Sequence, residues 1–255
     1  MFRRWRAANG RGDEMHKTRI KAALFVGLVL ASLTGTGISG AVMAGSDDAH
    51  VGESATGRWQ TLFDGKLLDT FRGWRSDGMP KGWHVVEGTL SKQGNVDDLV
   101  TRKEFGNFEL ELEWKIGKAG NSGLFYRGTR EYDEIYWSAP EYQLLDDANA
   151  PDGRNPLTAA ASAYGLYAAP AGVVKPFGEW NKTRIIVKGN HVEHWLNGQK
   201  VVEYDIVSPD WKAKVAASKF SKYPNYGLAK AGLIGIQGDH PGSLALRHIR
   251  IRELP

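Results

Sequence analysis

The chain has 255 residues, of which 42% are hydrophobic and 24% are charged, and it contains no cysteine. The lack of cysteine excludes a disulfide framework, a thiolate metal site and anchoring through a lipidated cysteine. Residues 1–44 hold seven of the 33 lysines and arginines but only two of the 29 acidic residues, so the net charge of +4 originates there. The remaining 26 basic and 27 acidic residues nearly cancel, and nothing in the charge favours a nucleic-acid partner.

Residues 1–44 follow the order of a secretory signal peptide. Basic residues precede the apolar segment Ala22–Leu33, and small residues continue to Ala44, where we expect cleavage. The apolar segment is shorter than the ~20 residues that span a bilayer. An uncleaved membrane anchor is the alternative, and Met15 is a second candidate start. We therefore expect a secreted or periplasmic protein that meets a membrane only through this segment, if it stays attached.

Residues 45–57 are small, polar and acidic, which predicts a flexible linker, and residues 58–255 predict one folded domain. Segments of strand length recur through this domain with turn signals between them. The predicted strands are Trp59–Phe63, Leu99–Arg102, Phe108–Ile116, Ser122–Arg127, Glu141–Leu145, Tyr164–Ala168, Thr183–Lys188, His191–Leu196, Lys200–Asp205, Leu233–Gln237 and Leu244–Leu254. Trp83–Leu90 is predicted to hold a strand, a turn at Glu87 and Gly88, and the start of the next strand. One short helix is predicted at Pro209–Phe220, and Ala148–Ala163 is predicted to be a long, functional loop. The spacing favours an all-β sandwich or jelly roll.

Polar groups concentrate in the stretch from Asn121 to Asp147. Because alternate side chains of a strand point to opposite faces, Glu141 and Gln143 share one face. Arg127 shares a face with Gly123 and Phe125 on the preceding strand. The loop between the two strands carries Tyr132, Tyr136 and Trp137. A carboxylate, an amide, a guanidinium and aromatic rings suit a sugar, although two ordinary half-exposed strands would also explain the pattern.

A row of three carboxylates occupies one face of the strand Phe108–Ile116. Glu109, Glu111 and Glu113 are arranged like the paired acids of laminarinase-type glucanases. Such a site needs one acid of raised pKa in a buried setting. Lys115 continues the row here, so we interpret this face as a solvent-facing strand without catalytic function.

Three further groups are candidates for the site. His191 and His194 are three apart on one strand and face opposite ways, so at most one belongs to a site; an ordinary core or edge histidine is the alternative for each. Gln237, Asp239 and His240 follow a strand in the run IQGDHPG, where a capped turn is the alternative. Lys175 and Trp180 are expected at the rim. A general base could be Glu141, His194 or His240.

The chain resembles the 3-keto-disaccharide hydrolase domain family from about Trp59 to Leu254. The resemblance rests on the ordered segments WQTLFDGKLLDTFRGW, NSGLFYRG, PEYQLLDD, YGLYAAP, KPFGEWNKTRIIVKGNHVEHWLNGQKVVEYD and GLIGIQGDHPGSLALRHIRIREL. The family usually closes with a shorter run, LQDHG, and His248 stands where asparagine is usual.

The resemblance implies a jelly-roll sandwich of two antiparallel sheets, of the concanavalin A-like lectin/glucanase type. It also implies a bacterial secreted or periplasmic protein that cleaves glycosides oxidised at the 3-position of the sugar. A ketone at C3 acidifies the C2 proton, so one base can start an elimination that expels the C1 substituent, after which water adds back. We expect Glu141 or His194 to be the base, and Arg127, Gln143 or His240 to polarise the ketone.

Residues beyond these catalytic candidates are expected to contact the substrate. The predicted substrate-binding residues are Asn121, Arg127, Gln143, Trp137, Trp180, Gln237 and Asp239. The sequence demands no cofactor, although Glu141, Asp239 and His240 could hold a divalent cation. A non-catalytic carbohydrate-binding module is the main alternative, because the same fold serves that function. An oligosaccharide or glycoside is the expected ligand, and the oligomeric state stays open.

Overall fold

The computed structural model of the protein describes residues 57–66 and 68–255. The predicted leader and residues 45–56 of the predicted linker lie outside the described residues. The strands are β1 Gln60–Phe63, β2 Phe71–Gly73, β3 Trp83–Val86, β4 Thr89–Gln93, β5 Leu99–Phe105, β6 Phe108–Ile116, β7 Asn121–Gly128, β8 Glu141–Leu145, β9 Asn181–Lys188, β10 His191–Leu196, β11 Gln199–Asp205, β12 Gly232–Ile236 and β13 Ser243–Glu253. The α-helix α1 spans Pro209–Ala217. None of the helices in the described ranges is both long and apolar enough to cross a bilayer.

The strands form two antiparallel sheets that enclose one main core. The larger sheet has the order β11-β10-β9-β6-β13-β4-β3, with β1 pairing onto β13, and the smaller sheet has the order β2-β5-β12-β7-β8. Hairpin neighbours such as β9 and β10 alternate with neighbours that are far apart in sequence, such as β6 and β13 or β5 and β12, as in a jelly roll. This arrangement confirms the predicted all-β sandwich with one short helix.

Strand β6 shows how sequence alternation produces the sandwich. Phe108, Leu110, Leu112 and Trp114 are all at most 1% exposed and lie in the main core. Each apolar side chain of this kind contributes roughly 1.5–3 kcal/mol when it leaves water. Period-two burial of this row fixes the pairing register, since a one-residue slip would place the whole row outside the core.

The opposite face of β6 is a ladder of ion pairs. Glu109 accepts from Arg184 at 2.5 Å and from Arg252 at 2.7 Å, and Glu111 accepts from Arg250 at 2.6 Å. Glu109 is only 3% exposed, so the prediction of a solvent-facing row is wrong for this residue. Its arginine contacts hold the pKa of Glu109 below its ordinary value despite burial, which is unsuited to an acid catalyst.

Two predicted elements differ from those in the structure. The predicted strand Tyr164–Ala168 is a turn with isolated bridges, because Ala163 accepts several turn hydrogen bonds in place of a ladder. The predicted helix stops at Ala217, since Ser218 is extended and caps a separate 3-10 helix, Lys219–Lys222. The predicted turn at Asn197 and Gly198 is confirmed, with both residues at positive φ.

Candidate active site

A cavity of about 220 Å³ lies on the smaller sheet. It opens on the face opposite the main core, because Leu124 and Tyr142 of β7 and β8 point into the core while alternate side chains point away. Its lining residues are Asn121, Tyr136, Glu141, Gln143, Asp152, Tyr164, Lys219, Gln237, Asp239 and His240. Several recesses elsewhere are larger, among them one of about 440 Å³ lined by Glu111, Lys182 and Arg250. These residues already pair with one another, so the smaller cavity is the better candidate for chemistry.

Glu141 is the most perturbed carboxyl group of this cavity. It begins β8, is 7% exposed, and burial raises its pKa to about 8. Among the described residues, desolvation and surrounding charges act on this pKa, and no hydrogen bond to the carboxyl group contributes. Lys219 acts on it only through space and lowers the pKa in part. The result is a carboxyl group that can gain and lose a proton near neutral pH.

Three carboxamide oxygens in the cavity wall have no protein partner in the described part of the chain. Asn121 donates its Nδ2 to Asp152 at 3.3 Å, and Gln143 donates its Nε2 to the Thr158 carbonyl at 3.3 Å. These contacts orient the amides, so Oδ1 of Asn121 and Oε1 of Gln143 are left as buried, unpaired acceptors, as is Oε1 of Gln237. Buried acceptors are costly unless a ligand satisfies them, and sugar hydroxyl groups are suitable donors.

The loop Ala148–Ala163 does contribute to the cavity, as its length predicted. A 3-10 helix at Pro151–Arg154 carries Asp152 to the wall. Tyr164 follows the loop, and its amide donates to the Glu141 carbonyl at 3.0 Å. Burial, with Asp152 and Glu141 nearby, raises the pKa of Tyr164 to about 12. Neither side chain was among the predicted site residues, because loop residues show no periodic signal.

Lys219 is the lysine of the cavity lining, and sequence reasoning also missed it. Its Nζ lies 4.4 Å from the centre of the Tyr164 ring, a cation–π distance. The neighbouring Phe220 stacks on Tyr226 with a centroid distance of 4.1 Å. Aromatic packing therefore holds the backbone that presents the ammonium group.

The run IQGDHPG also reaches the cavity, as predicted. The Gln237 amide donates to the Gly123 carbonyl at 2.9 Å, and Ser122 Oγ donates to the Gln237 carbonyl at 2.8 Å. These bonds tie the segment to β7, so Asp239 and His240 lie beside the groups on β8. Asn121, Glu141, Gln143, Gln237, Asp239 and His240 are thus brought together.

His194 is separate from that cavity. It is fully buried in the main core, where its Nδ1 lies 2.9 Å from the Ala161 carbonyl and its Nε2 lies 2.9 Å from the Tyr126 hydroxyl. A carbonyl only accepts, so Nδ1 carries the proton and Nε2 accepts from Tyr126. Burial lowers the pKa of His194 to about 4. The expectation that His194 shares a site with Glu141 is therefore wrong, and the residue supports the loop that contains Ala161.

Arg127 is directed away from the cavity by a β-bulge. Leu233 and Gly235 of β12 pair with Gly128 and Phe125 of β7, so an extra residue is accommodated there, and Arg127 has a φ of 55°. Its guanidinium donates to the Gly106 and Gly189 carbonyls at 3.0 and 2.9 Å. The bulge breaks the alternation on which the prediction depended, and Arg127 does not join Glu141.

Neither of the two tryptophans predicted to bind substrate lines the cavity. Trp180 lies against the outer face of the larger sheet, where the Arg247 guanidinium is 4.0 Å from its ring centre, so it is not at the cavity rim. Trp137 stacks on Tyr223 at 5.2 Å and meets Tyr136 edge to face. It therefore supports the cavity-lining Tyr136 and does not itself line the wall.

Oxygen groups in the cavity could bind a hard divalent cation, because amide and carboxylate oxygens are the ligands that such ions prefer. The carboxylates of Glu141, Asp152 and Asp239 do not converge as a ready-made set. In the described residues, the group of histidine and acidic atoms close enough to share an ion comprises His191, Glu193 and Glu203, on the larger sheet.

A two-sheet antiparallel sandwich with a polar cavity on its smaller sheet defines a protein of the jelly-roll class. Residues 58–252 match the 3-keto-alpha-glucoside-1,2-lyase-like domain, and the chain belongs to that family.

Similar proteins are found in Bacteroides thetaiotaomicron and Parabacteroides distasonis. A 3-keto-disaccharide hydrolase of Bacteroides thetaiotaomicron is 37% identical over 226 residues, which cover 76% of this chain and 78% of that protein. Two crystal structures from Parabacteroides distasonis, provisionally named glycosyl hydrolases, are 32% and 31% identical. They match with TM-scores of 0.72 and 0.60, covering 77% of this chain and 94% and 100% of theirs.

Proposed function

We propose that the protein is a carbohydrate-active hydrolase that cleaves 3-keto-glycosides, with Glu141 as the base. The observation that carries the proposal is the buried Glu141 carboxyl group, with its pKa raised to about 8, beside unpaired amide acceptors in a sugar-sized cavity. Family membership and the name of the relative from Bacteroides thetaiotaomicron support the substrate class.

The proposed chemistry is an elimination followed by hydration. The Glu141 carboxylate takes the proton from C2, and the C2–H electrons form an enolate with the C3 ketone. The enolate then restores the ketone, forms a C1–C2 double bond and expels the C1 oxygen, which receives a proton. Water adds across the double bond and returns a 3-keto sugar with a free anomeric hydroxyl. A pKa raised toward working pH makes a carboxylate an effective base for the first step.

Donors for the developing charges come from the same wall. Lys219 supplies a cation close to Glu141, and we assign it to the ketone oxygen, where negative charge develops. His240 lies on the opposite segment and is the candidate donor to the leaving oxygen. Gln143, Asn121 and Gln237 would accept from sugar hydroxyls through their unpaired oxygens. This replaces the expected role of Arg127.

The cavity size limits what enters it. A volume of about 220 Å³ lies below the ~300–1,000 Å³ of typical pockets for drug-sized ligands. We infer that one oxidised sugar ring occupies the cavity and that the C1 substituent extends outside. A secreted or periplasmic location, proposed from the leader sequence, would place the enzyme where such glycosides arrive.

Product analysis with a panel of 3-keto-disaccharides and their unoxidised parents tests the proposal. We expect a free 3-keto sugar only from the oxidised substrates. Cleavage of both forms would indicate an ordinary glycosidase, and binding without cleavage would indicate a carbohydrate-binding module. Parallel reactions with a chelator show whether a divalent cation takes part.

A further inference from the structure

The segment that carries Asp239 and His240 is hydrogen-bonded to the connection between β4 and β5. The Val96 amide donates to the Gly238 carbonyl at 3.0 Å, and Asn95 Nδ2 donates to the Asp239 carbonyl at 3.0 Å. These contacts join two irregular stretches that are more than 140 residues apart in sequence. We call the contacts between residues 92–98 and 237–242 the loop clamp.

Two buried charged side chains hold the clamp from opposite ends. Lys92 Nζ donates to the His240 carbonyl at 2.7 Å and to the Gly94 carbonyl at 3.0 Å. Asp98 Oδ1 accepts from the Gly238 amide at 2.6 Å. Lys92 is 3% exposed and Asp98 is 6% exposed. Lysine and aspartate are almost never buried to this degree unless they have specific partners. Here each side chain hydrogen-bonds to the backbone of the segment that carries Asp239 and His240.

Close approach in the clamp depends on Gly238. A Cβ atom at this position would lie 2.6 Å from both the Val96 and the Asp97 carbonyl oxygens. Real Cβ atoms essentially never approach so closely, and the neighbouring atoms are backbone that cannot swing aside. Any other residue would push the segment outward and lengthen the bonds to Lys92 and Asp98.

The buried charges of the clamp also balance one another in part. Burial lowers the pKa of Lys92, whereas Asp239 and Asp98 raise it. Burial raises the pKa of Asp98 to about 7, and the Gly238 amide opposes that shift. Loss of the ammonium group would therefore remove both a hydrogen bond and a counter-charge close to Asp239.

We propose that Lys92 and Asp98 are positioning residues that fix Asp239 and His240 against the Glu141 cavity. Neither touches the substrate; each acts through the backbone of residues 237–242. The catalytic consequence rests on the proposed function, whereas the ordering of the segment does not.

Hydrogen–deuterium exchange of residues 237–242 and steady-state kinetics test the proposal on the full protein. In Lys92→Met we expect these amides to exchange about tenfold to a hundredfold faster, as for loss of a hydrogen bond to a charged group. We expect kcat to fall by a similar factor and KM to change less. Lys92→Arg should restore protection and turnover in part. Lys188→Met, at an exposed lysine on the larger sheet, is the matched control and should behave as wild type.

Asp98 provides a second arm if Lys92→Met does not fold. Asp98→Ala should loosen the segment, whereas Asp98→Asn keeps an acceptor for the Gly238 amide and should keep it ordered. Unchanged exchange in both Lys92→Met and Asp98→Ala would overturn the clamp. Absence of turnover in the wild type would refute the proposed function alone, since the exchange measurement still decides whether the clamp exists.

Discussion

Gly123 provides the space in which the Glu141 carboxyl group lies. A Cβ atom at Gly123 would be 2.1 Å from Glu141 Oε1 and 2.8 Å from its carboxyl carbon. The two residues are diagonal neighbours in the β7–β8 pair, where Gly123 is opposite Gln143 and Phe125 is opposite Glu141. A glycine in the middle of a strand therefore has a defined purpose, which is close approach of a functional side chain.

Substituting Gly123 with alanine should displace the Glu141 carboxyl group without unfolding the sheet. Displacement by about 1 Å from a productive geometry can cost up to ~100-fold in rate, so we expect kcat to fall at least about tenfold. Gly78→Ala is the matched control, because the space around Gly78 is open and its φ is ordinary. Equal activity of the two variants would show that the carboxyl position is unimportant.

The raised pKa of Glu141 predicts an unusual pH dependence of stability. The folded state keeps the Glu141 proton up to about pH 8, whereas the unfolded chain releases it near 4.5. This contribution to the free energy of unfolding is complete below pH 4.5 and is lost as pH rises toward 8, at up to ~1.4 kcal/mol per pH unit. Glu141→Gln removes this titration. In urea unfolding, the free energy of unfolding of the variant should therefore rise relative to that of wild type as pH increases from 4.5 to 8. A constant difference would contradict the raised pKa.

His194 should influence acid stability and not the pH profile of turnover. Its pKa is about 4 in the folded protein and 6.5 without its surroundings, so its stabilising contribution is present above pH 6.5 and is lost as pH falls toward 4. His194→Gln should abolish that loss and cost ~1–3 kcal/mol at neutral pH through weakened bonds to Tyr126 and Ala161. Its kcat/KM should keep the wild-type pH dependence. A shifted profile would return His194 to the list of candidate bases.

Replacing Lys219 with methionine should lower kcat, because the developing enolate charge loses its cation. Removal of one such donor costs ~100-fold or more in well-studied sites, and we expect at least tenfold. Lys222→Met, on the same 3-10 helix but outside the cavity lining, controls for a general loss of positive charge. Steady-state kinetics on a 3-keto-disaccharide provide the comparison, and equal kcat values for the two variants would exclude Lys219 from the reaction.

Strand periodicity allowed much of this structure to be predicted. Glu141 and Gln143 were placed on one face of a strand, and that face is the cavity wall. Alternation in Phe108–Ile116 also places its apolar residues on the face opposite the carboxylates, and that apolar face lies in the core. Both depend on local alternation, which does not require knowledge of the partner strand.

The remaining site residues depend on contacts that sequence spacing does not encode. His194 shares its face of the strand with Val192 and Leu196, which are both buried. These apolar neighbours were the feature of the sequence that indicated a core position for His194. Arg127 was misplaced by a bulge in β7, which arises from pairing with β12. Asp152 and Lys219 come from short 3-10 helices that reach the cavity only through tertiary folding.

Product analysis with wild type and Glu141→Gln, each given a 3-keto-disaccharide and its unoxidised parent, is the decisive measurement. Glu203→Gln, at an exposed glutamate on β11, is the matched control. We predict that wild type and the control cleave only the oxidised substrate and that Glu141→Gln cleaves neither. Cleavage of the unoxidised parent, or near-full activity of Glu141→Gln on the oxidised substrate, would contradict a reaction that begins with proton abstraction by Glu141.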